Sequence, residues 1–134
     1  MNPIVIEFVA PSKRYSLVFE DDGKVAYAYL KHAGEIVGDV WLYNRAGTPL
    51  VPEWTDIERA PFLNPKAYVA EGAHVTRPVT EKDVGVLWEN HADWPVAYVY
   101  VFEDLYGVVG VGDKPGYSRL AKKDGPLGRV LEVE

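Results

Sequence analysis

The chain has 134 residues, 48% of them hydrophobic and 25% charged, a composition that builds a packed core and excludes disorder. Its net charge of −6 disfavours phosphate backbones and anionic membrane surfaces, so nucleic acid and membrane are not expected partners and a basic protein is. With no cysteine there is no disulfide framework, thiolate metal site or cysteine nucleophile.

One domain is expected from this length. The stretch from Met1 to Glu7 lacks a basic leader, and Glu7 and Pro11 interrupt its apolar residues. Nothing approaches the roughly 18 consecutive apolar residues of a membrane span, so a cytoplasmic protein without a signal peptide is expected. Ile4 to Val9 reads as a strand closed by Pro11. Tyr15 to Glu20 reads as a second, followed by Asp22-Gly23 as a two-residue hairpin turn. That turn pairs Phe19 with Ala26 and Leu17 with Ala28, and puts Tyr15, Leu17, Phe19, Ala26, Ala28 and Leu30 on one core face. Ser16, Val18, Glu20, Val25, Tyr27 and Tyr29 take the other face.

His32-Ala33-Gly34 fits a three-residue loop, after which Ile36, Gly38, Val40 and Leu42 extend the core face. Val37, Asp39, Trp41 and Tyr43 join the second face. The rival two-residue turn at Ala33-Gly34 would bury Asp39 without a partner, which is costly. Residues 44–83 are interrupted by Pro49, Pro52, Pro61, Pro65 and Pro78, and read as a crossover with short helical turns. One turn is signalled by a capping box at Thr55-Asp56-Ile57-Glu58. A second short helix is signalled over Pro65 to Glu71, between Asn64 and Gly72.

Strands resume at Val84 to Glu89, Val96 to Phe102 and Gly107 to Gly112. Val96-Ala97-Tyr98-Val99-Tyr100-Val101-Phe102 is the longest unbroken apolar run, of strand length and rich in β-branched and aromatic residues. It echoes Val25 to Leu30. Leu17-Val18-Phe19-Glu20 likewise echoes Val86-Leu87-Trp88-Glu89, and Ile36-Val37-Gly38 echoes Val108-Val109-Gly110. Two pseudo-repeated three-stranded meanders are expected. Tyr117 to Lys122 and Gly128 to Val133 read as a closing hairpin around Asp124-Gly125, with a helix capped by Ser118 as the rival. About nine short strands with little helix define the fold class: mainly β, an antiparallel sandwich or flattened barrel.

Chemistry is sparse in the sequence. His32, His74 and His91 have no metal-ligand spacing, and no metal or other cofactor is expected. The glycines of Gly107 to Gly112 lack the helix and lysine–serine pair of a phosphate loop. Glu20 and Glu89 hold matching places in the two repeats and are the weak catalytic candidates. A carboxylate pair within about 5–10 Å could carry out glycosidase-type acid–base chemistry.

Aromatic residues are the stronger signal, with nine Tyr, four Trp and four Phe. Tyr27, Tyr29, Trp41 and Asp39 share a face that is either packed under residues 44–83 or exposed for binding, packing being favoured because large bare aromatic faces are uncommon. Trp54 and Trp94, with Glu53, Asp56 and Asp93 beside them, lie in proline-stiffened loops and suit exposed anchors for a basic partner. The expected function is a small acidic non-catalytic interaction protein, similar in profile to inhibitor or immunity proteins that cap basic toxins. The alternative is a small-molecule site, carbohydrate included, lined by aromatics and carboxylates. No oligomeric state follows from the sequence.

Overall fold

A computed structural model describes residues 3–45, 48–91 and 94–132. Among these residues the chain is mainly β, with two sheets facing each other across a core. The first sheet holds β1 (Ile4–Val9), β2 (Tyr15–Asp21), β3 (Val25–His32) and β4 (Glu35–Asn44) in chain order. The second holds β5 (Val84–His91), β6 (Trp94–Val101), β7 (Asp104–Gly110), β8 (Tyr117–Ser118) and β9 (Arg129–Val130), also in chain order. All neighbours pair antiparallel except β8 and β9, which pair parallel. The sheets do not close into a barrel. No helix among the described residues is long and apolar enough to cross a membrane.

The period-2 pattern places most of the core as expected, except beyond the bulge of the second hairpin, where Ile36 is 45% exposed and Val37 packs on the core instead. Leu17, Phe19, Ala26, Ala28, Leu30, Val40 and Leu42 of the first sheet meet Ala97, Val99, Val101 and Val109 of the second, all without solvent exposure. The turns differ from expectation. The first hairpin closes two residues later, with Asp21 opposite Ala26 and Phe19 opposite Ala28. Both aspartates cause this: Asp21 accepts the Gly23 N–H at 2.9 Å, and Asp22 accepts the N–H groups of Lys24 and Val25 at 2.8 and 2.9 Å. A shift of two keeps every side chain on its face, so the core assignment survives.

The second hairpin has the two-residue turn Ala33-Gly34, with φ of 51° and 82°, rather than the three-residue loop. A bulge between Leu30 and Lys31 compensates, so Asp39 still stays out of the main core. A second irregularity between Ala26 and Tyr27 moves Tyr43 to the core side, against the expectation that it shares a face with Trp41.

The repeat is present, and its internal geometry is closer than the sequence echo indicated. The pairs Leu17–Leu30, Phe19–Ala28, Leu30–Gly38 and Ala28–Val40 recur as Val86–Val99, Trp88–Ala97, Val99–Gly107 and Ala97–Val109, a constant offset of 69. The bulge recurs between Val99 and Tyr100, and the turn recurs at Phe102-Glu103 with φ of 52° and 70°. The sequence matches drawn for the second and third strands were therefore two and three residues out of step.

The halves also pack reciprocally. A Cβ on Gly38 would lie 2.9 Å from Val109 Cγ2 and 2.5 Å from the Gly110 carbonyl oxygen. A Cβ on Gly107, the counterpart of Gly38, would lie 2.6 Å from Leu42 Cδ2 and 3.5 Å from Val40 Cγ1. Gly38 meets Val109 as Gly107 meets Val40, the exchange that a local two-fold relation produces. The outer edge of β4 is then occupied: Gly112 N–H donates to Val37 O at 2.7 Å, Asp39 N–H to Asp113 O at 2.8 Å, and Trp41 N–H to Leu127 O at 2.9 Å.

The crossover has three short 3-10 turns, at Ile57–Arg59, Lys66–Tyr68 and Glu81–Asp83. Asp56, not Thr55, caps the first, accepting the Glu58 N–H at 3.1 Å. The expected helix over Pro65 to Glu71 shrinks to a single 3-10 turn with Pro65 at its N-cap and no side-chain cap bond. The closing hairpin does not form: Tyr117–Ser118 and Arg129–Val130 run parallel, Ser118 caps no helix, and Val133 lies outside the described residues.

The buried Asp21 carboxylate takes the Tyr43 hydroxyl at 2.7 Å and Arg45 Nε at 2.5 Å, and Arg45 Nη1 reaches the Arg77 carbonyl at 3.1 Å. This pair ties the crossover to the first sheet. Arg45→Met, which leaves a buried carboxylate without its counter-charge, is expected to destabilise by about 3 kcal/mol in urea unfolding. Gly38→Ala and Gly107→Ala are each expected to cost about 1–3 kcal/mol by overpacking. Gly85→Ala, with open space around it, should change stability by less than about 0.5 kcal/mol.

Candidate binding face

The two meanders turn equivalent outer faces away from the core, and the chain treats them differently. On the first sheet, Val25, Tyr27 and Trp41 are buried beneath the crossover and the segment after β8, in a second cluster with Leu63, Val69 and Ala121. Polar anchors hold this lid. Asn44 accepts from Trp41 Nε1 at 2.8 Å and from the Asn64 N–H at 3.0 Å, and donates to the Asn64 carbonyl at 2.9 Å. Tyr27 donates its hydroxyl to Phe62 O at 2.6 Å. Glu53 is buried, accepts the Leu63 N–H at 2.9 Å and lies 3.2 Å from Lys24 Nζ.

Several sequence candidates are thereby placed. Tyr27 and Trp41 are covered. Tyr29 stacks on Tyr27 at 5.9 Å, and burial together with Glu20 and Asp39 pushes its hydroxyl up to about 12. Glu53 is a lid anchor, and Asp56 is the cap of a 3-10 turn, 3.5 Å from Arg59 Nε. Trp54 is half-buried, packed edge-on against Tyr68 at 5.6 Å, and is not a free anchor. Asp93 lies outside the described residues. Glu20 and Glu89 point outward from opposite sheets, so the core separates them and they form no acid–base pair.

Among the described residues no crossover or lid lies over the second outer face. In β6, Trp94, Val96, Tyr98 and Tyr100 alternate with the buried Pro95, Ala97, Val99 and Val101. Pairing extends Tyr98 into a row across all five strands: Leu87, Tyr98, Val108, Tyr117 and Arg129. Leu87 is 62% exposed, Trp94 49% and Tyr117 37%. The corresponding first-sheet row is Glu7, Val18, Tyr29 and Asp39, which carries two carboxylates. Of the residues singled out from sequence, Trp94 and Glu89 belong to this face.

Side chains on the face are held in place. Arg129 lies over the Tyr117 ring at 4.2 Å, while its Nη2 bonds Asp113 Oδ1 at 3.1 Å and its Nε bonds Pro115 O at 2.9 Å. Burial, then the charge of Glu89 and a hydrogen bond to it, raise the Tyr98 hydroxyl above the usual tyrosine range. At the Gly85 end the face runs into a cleft of about 590 Å³ lined by Arg77, Lys82, Asp83, Tyr100, Phe102 and Glu103. The Arg77 guanidinium lies 3.9 Å over the Phe102 ring.

Nothing here resembles a nucleophile with its base. Among the described residues, no three histidine or acidic side chains are grouped to hold a metal ion. His32 stacks on Tyr15 at 4.5 Å, and His74 lies exposed in the crossover. What the arrangement presents is a sheet surface bearing Trp94, Tyr98, Tyr100 and Tyr117, side chains that combine an apolar body with a polar tip. No known family, curated protein or solved structure matches the chain.

Asp39 tests the electrostatics of the covered side. Burial raises its carboxyl above the usual range, against the lowering influence of Lys114. A raised folded pKa means the native state holds the proton more tightly, so this site favours folding below the unfolded pKa of about 4 and loses that contribution as pH rises through the folded value. Asp39→Asn is therefore expected to raise the urea midpoint at pH 7, with the gain fading below about pH 4.

Proposed function

We propose that the chain is a non-catalytic binding protein that engages a basic protein partner through the outer face of its second sheet. One observation carries this reading: two meanders of matched register each turn an aromatic-bearing face away from the core, and the crossover covers Val25, Tyr27 and Trp41 on the first while, among the described residues, Leu87 and Trp94 on the second stay exposed. Exposed apolar area rimmed by polar groups is a mark of an interaction surface. Tyrosine and tryptophan at Tyr98, Tyr100, Tyr117 and Trp94 supply contact area at low ordering entropy, since strands fix their backbones. The net charge of −6, with Glu103 and Asp104 exposed at the rim, favours a basic counterpart and salt-sensitive association. An inhibitor- or immunity-like role is one form this would take, by analogy alone.

Affinity capture from the native cell, compared between wild type and a Trp94→Ala/Tyr98→Ala variant of unchanged thermal stability, tests the reading. Basic proteins retained by wild type should be lost by the variant and by raised salt. Loss of a desolvated aromatic anchor is worth about 2 kcal/mol, or roughly thirtyfold in affinity. The same proteins retained by both would remove this face from consideration.

A second reading attaches to the cleft at Arg77, Tyr100 and Phe102, whose volume is that of a small-molecule site. Its aromatic rings and the carboxylates of Asp83 and Glu103 are the features that suit a carbohydrate. Amide shifts confined to Gly85, Tyr100 and Phe102 on titration with simple saccharides would favour it over the protein partner.

A further inference from the structure

We infer that the protein self-associates through β5, two copies pairing edge to edge about a two-fold axis at Leu87. The inference goes beyond the binding face proposed above and stands without it.

The internal repeat supplies the argument. In the first meander the outer edge of β2 is covered by β1, whose Ile6 and Phe8 stand opposite Phe19 and Leu17. Leu17 and Phe19 are 0% exposed as a result. Their counterparts in β5 are Val86 and Trp88, and among the described residues no strand lies on that edge. Both stay half-exposed although both pack against the core. The second meander therefore has the same edge with one strand missing, and the side chains that such a strand would cover are apolar.

Natural edge strands are usually protected by a lysine, a proline, a bulge or an inward charge. The edge strand of the first sheet, β1, has Pro3 and Pro11 at its flanks and Glu7 within it. β5 has neither lysine nor proline, and its ladder with β6 runs through eight consecutive pairs without a shift. Apart from the acid Glu89, it carries none of these devices.

A second copy suits it by register. Antiparallel pairing must keep core-facing and outward residues on their own sides, which restricts a symmetric pair to axes passing through a residue. Centred on Leu87, the pairing sets Leu87 against its own mate, Val86 against Trp88, and Gly85 against Glu89. No acid then faces an acid, the exposed leucine is covered, and the half-exposed Val86 and Trp88 shield one another. The two five-stranded sheets become one continuous sheet, and the row through Tyr98 and Tyr117 is doubled on a single surface.

The absence of cysteine makes the test direct. Residues directly opposite in an antiparallel pair have Cα atoms about 4.5–5.5 Å apart, within the range a disulfide spans. Leu87→Cys under mild oxidation should give a covalent dimer of twice the 15.0 kDa chain mass, whereas Val5→Cys on β1 should not. Sedimentation velocity of the unmodified protein should show the dimer mass, falling twofold in Leu87→Lys, where two ammonium groups would face each other. Leu87→Thr, which keeps a strand-forming side chain, separates edge disruption from unfolding and should shift the equilibrium toward monomer at unchanged thermal stability. A wild-type protein of monomer mass at every concentration overturns the inference, as does a dimer that neither Leu87→Lys nor Leu87→Thr weakens. Trp94→Ala should leave the dimer intact, so failure here is distinguishable from failure of the proposed binding face.

Discussion

The sandwich depends on how closely two backbones can approach at Gly38 and Gly107. Interiors are packed to crystal density, so the spacing of two sheets is set by the side chains between them, and only a residue without Cβ allows a neighbour's valine or leucine to rest on the backbone itself. Here that happens twice, with Gly38 under Val109 and Gly107 against Val40 and Leu42. The contacts lock β4 against β7, the last strand of one meander against the last strand of the other. From that crossing the zero-exposure core spreads outward through Ala28, Leu30, Ala97 and Val99.

Around this symmetric centre the chain is organised by asymmetry. The first meander receives β1 on its edge and a lid on its face, the lid held by Asn44, Glu53, Tyr27 and the Asp21–Arg45 pair. The second receives only the short β8 and β9, which fix Tyr117 and Arg129 without covering Tyr98. In the second half Asp21 is replaced by Asn90 and Asp39 by Val108, so these two carboxylates have no charged counterparts there. Charge and coverage change together between the halves.

Much of this was legible in the sequence because strand periodicity is robust. Alternation placed Leu17, Phe19, Ala28, Val40 and Leu42 in the core, and it tolerated a first-hairpin register wrong by two residues, since an even shift changes no face. What alternation cannot see is local turn chemistry. Two consecutive aspartates, Asp21 and Asp22, each capture backbone N–H groups and lengthen a turn that Asp22-Gly23 alone would have closed. The bulge at Leu30/Lys31 has no residue signature, yet it reconciles a two-residue turn with an outward Asp39, and the irregularity at Ala26/Tyr27 reverses Tyr43. The placement of the open face was illegible for a different reason. Coverage of Trp41 depends on where Leu63 and Val69 arrive after a long crossover, and its anchors Asn44 and Glu53 are residue types ordinarily read as surface. Trp94 was found by its loop and proline context and Tyr98 by alternation along the same strand, whereas Tyr117 joins them only through pairing across β7 and β8.

The matched meanders also pose a problem of assembly order. β1 has two similar edges available to it, β2 and β5, whose inward side chains are Leu17 and Phe19 in one and Val86 and Trp88 in the other. Correct docking is favoured by chain length: β1 reaches β2 across the short turn from Ala10 to Arg14, and reaches β5 only after some four doublings of that loop, a difference of roughly 2 kcal/mol in closure entropy. Local contacts also form before distant ones. The nearer edge is therefore claimed early, and a duplicated architecture avoids exchanging its strands because one of the two competing sites lies next door along the chain.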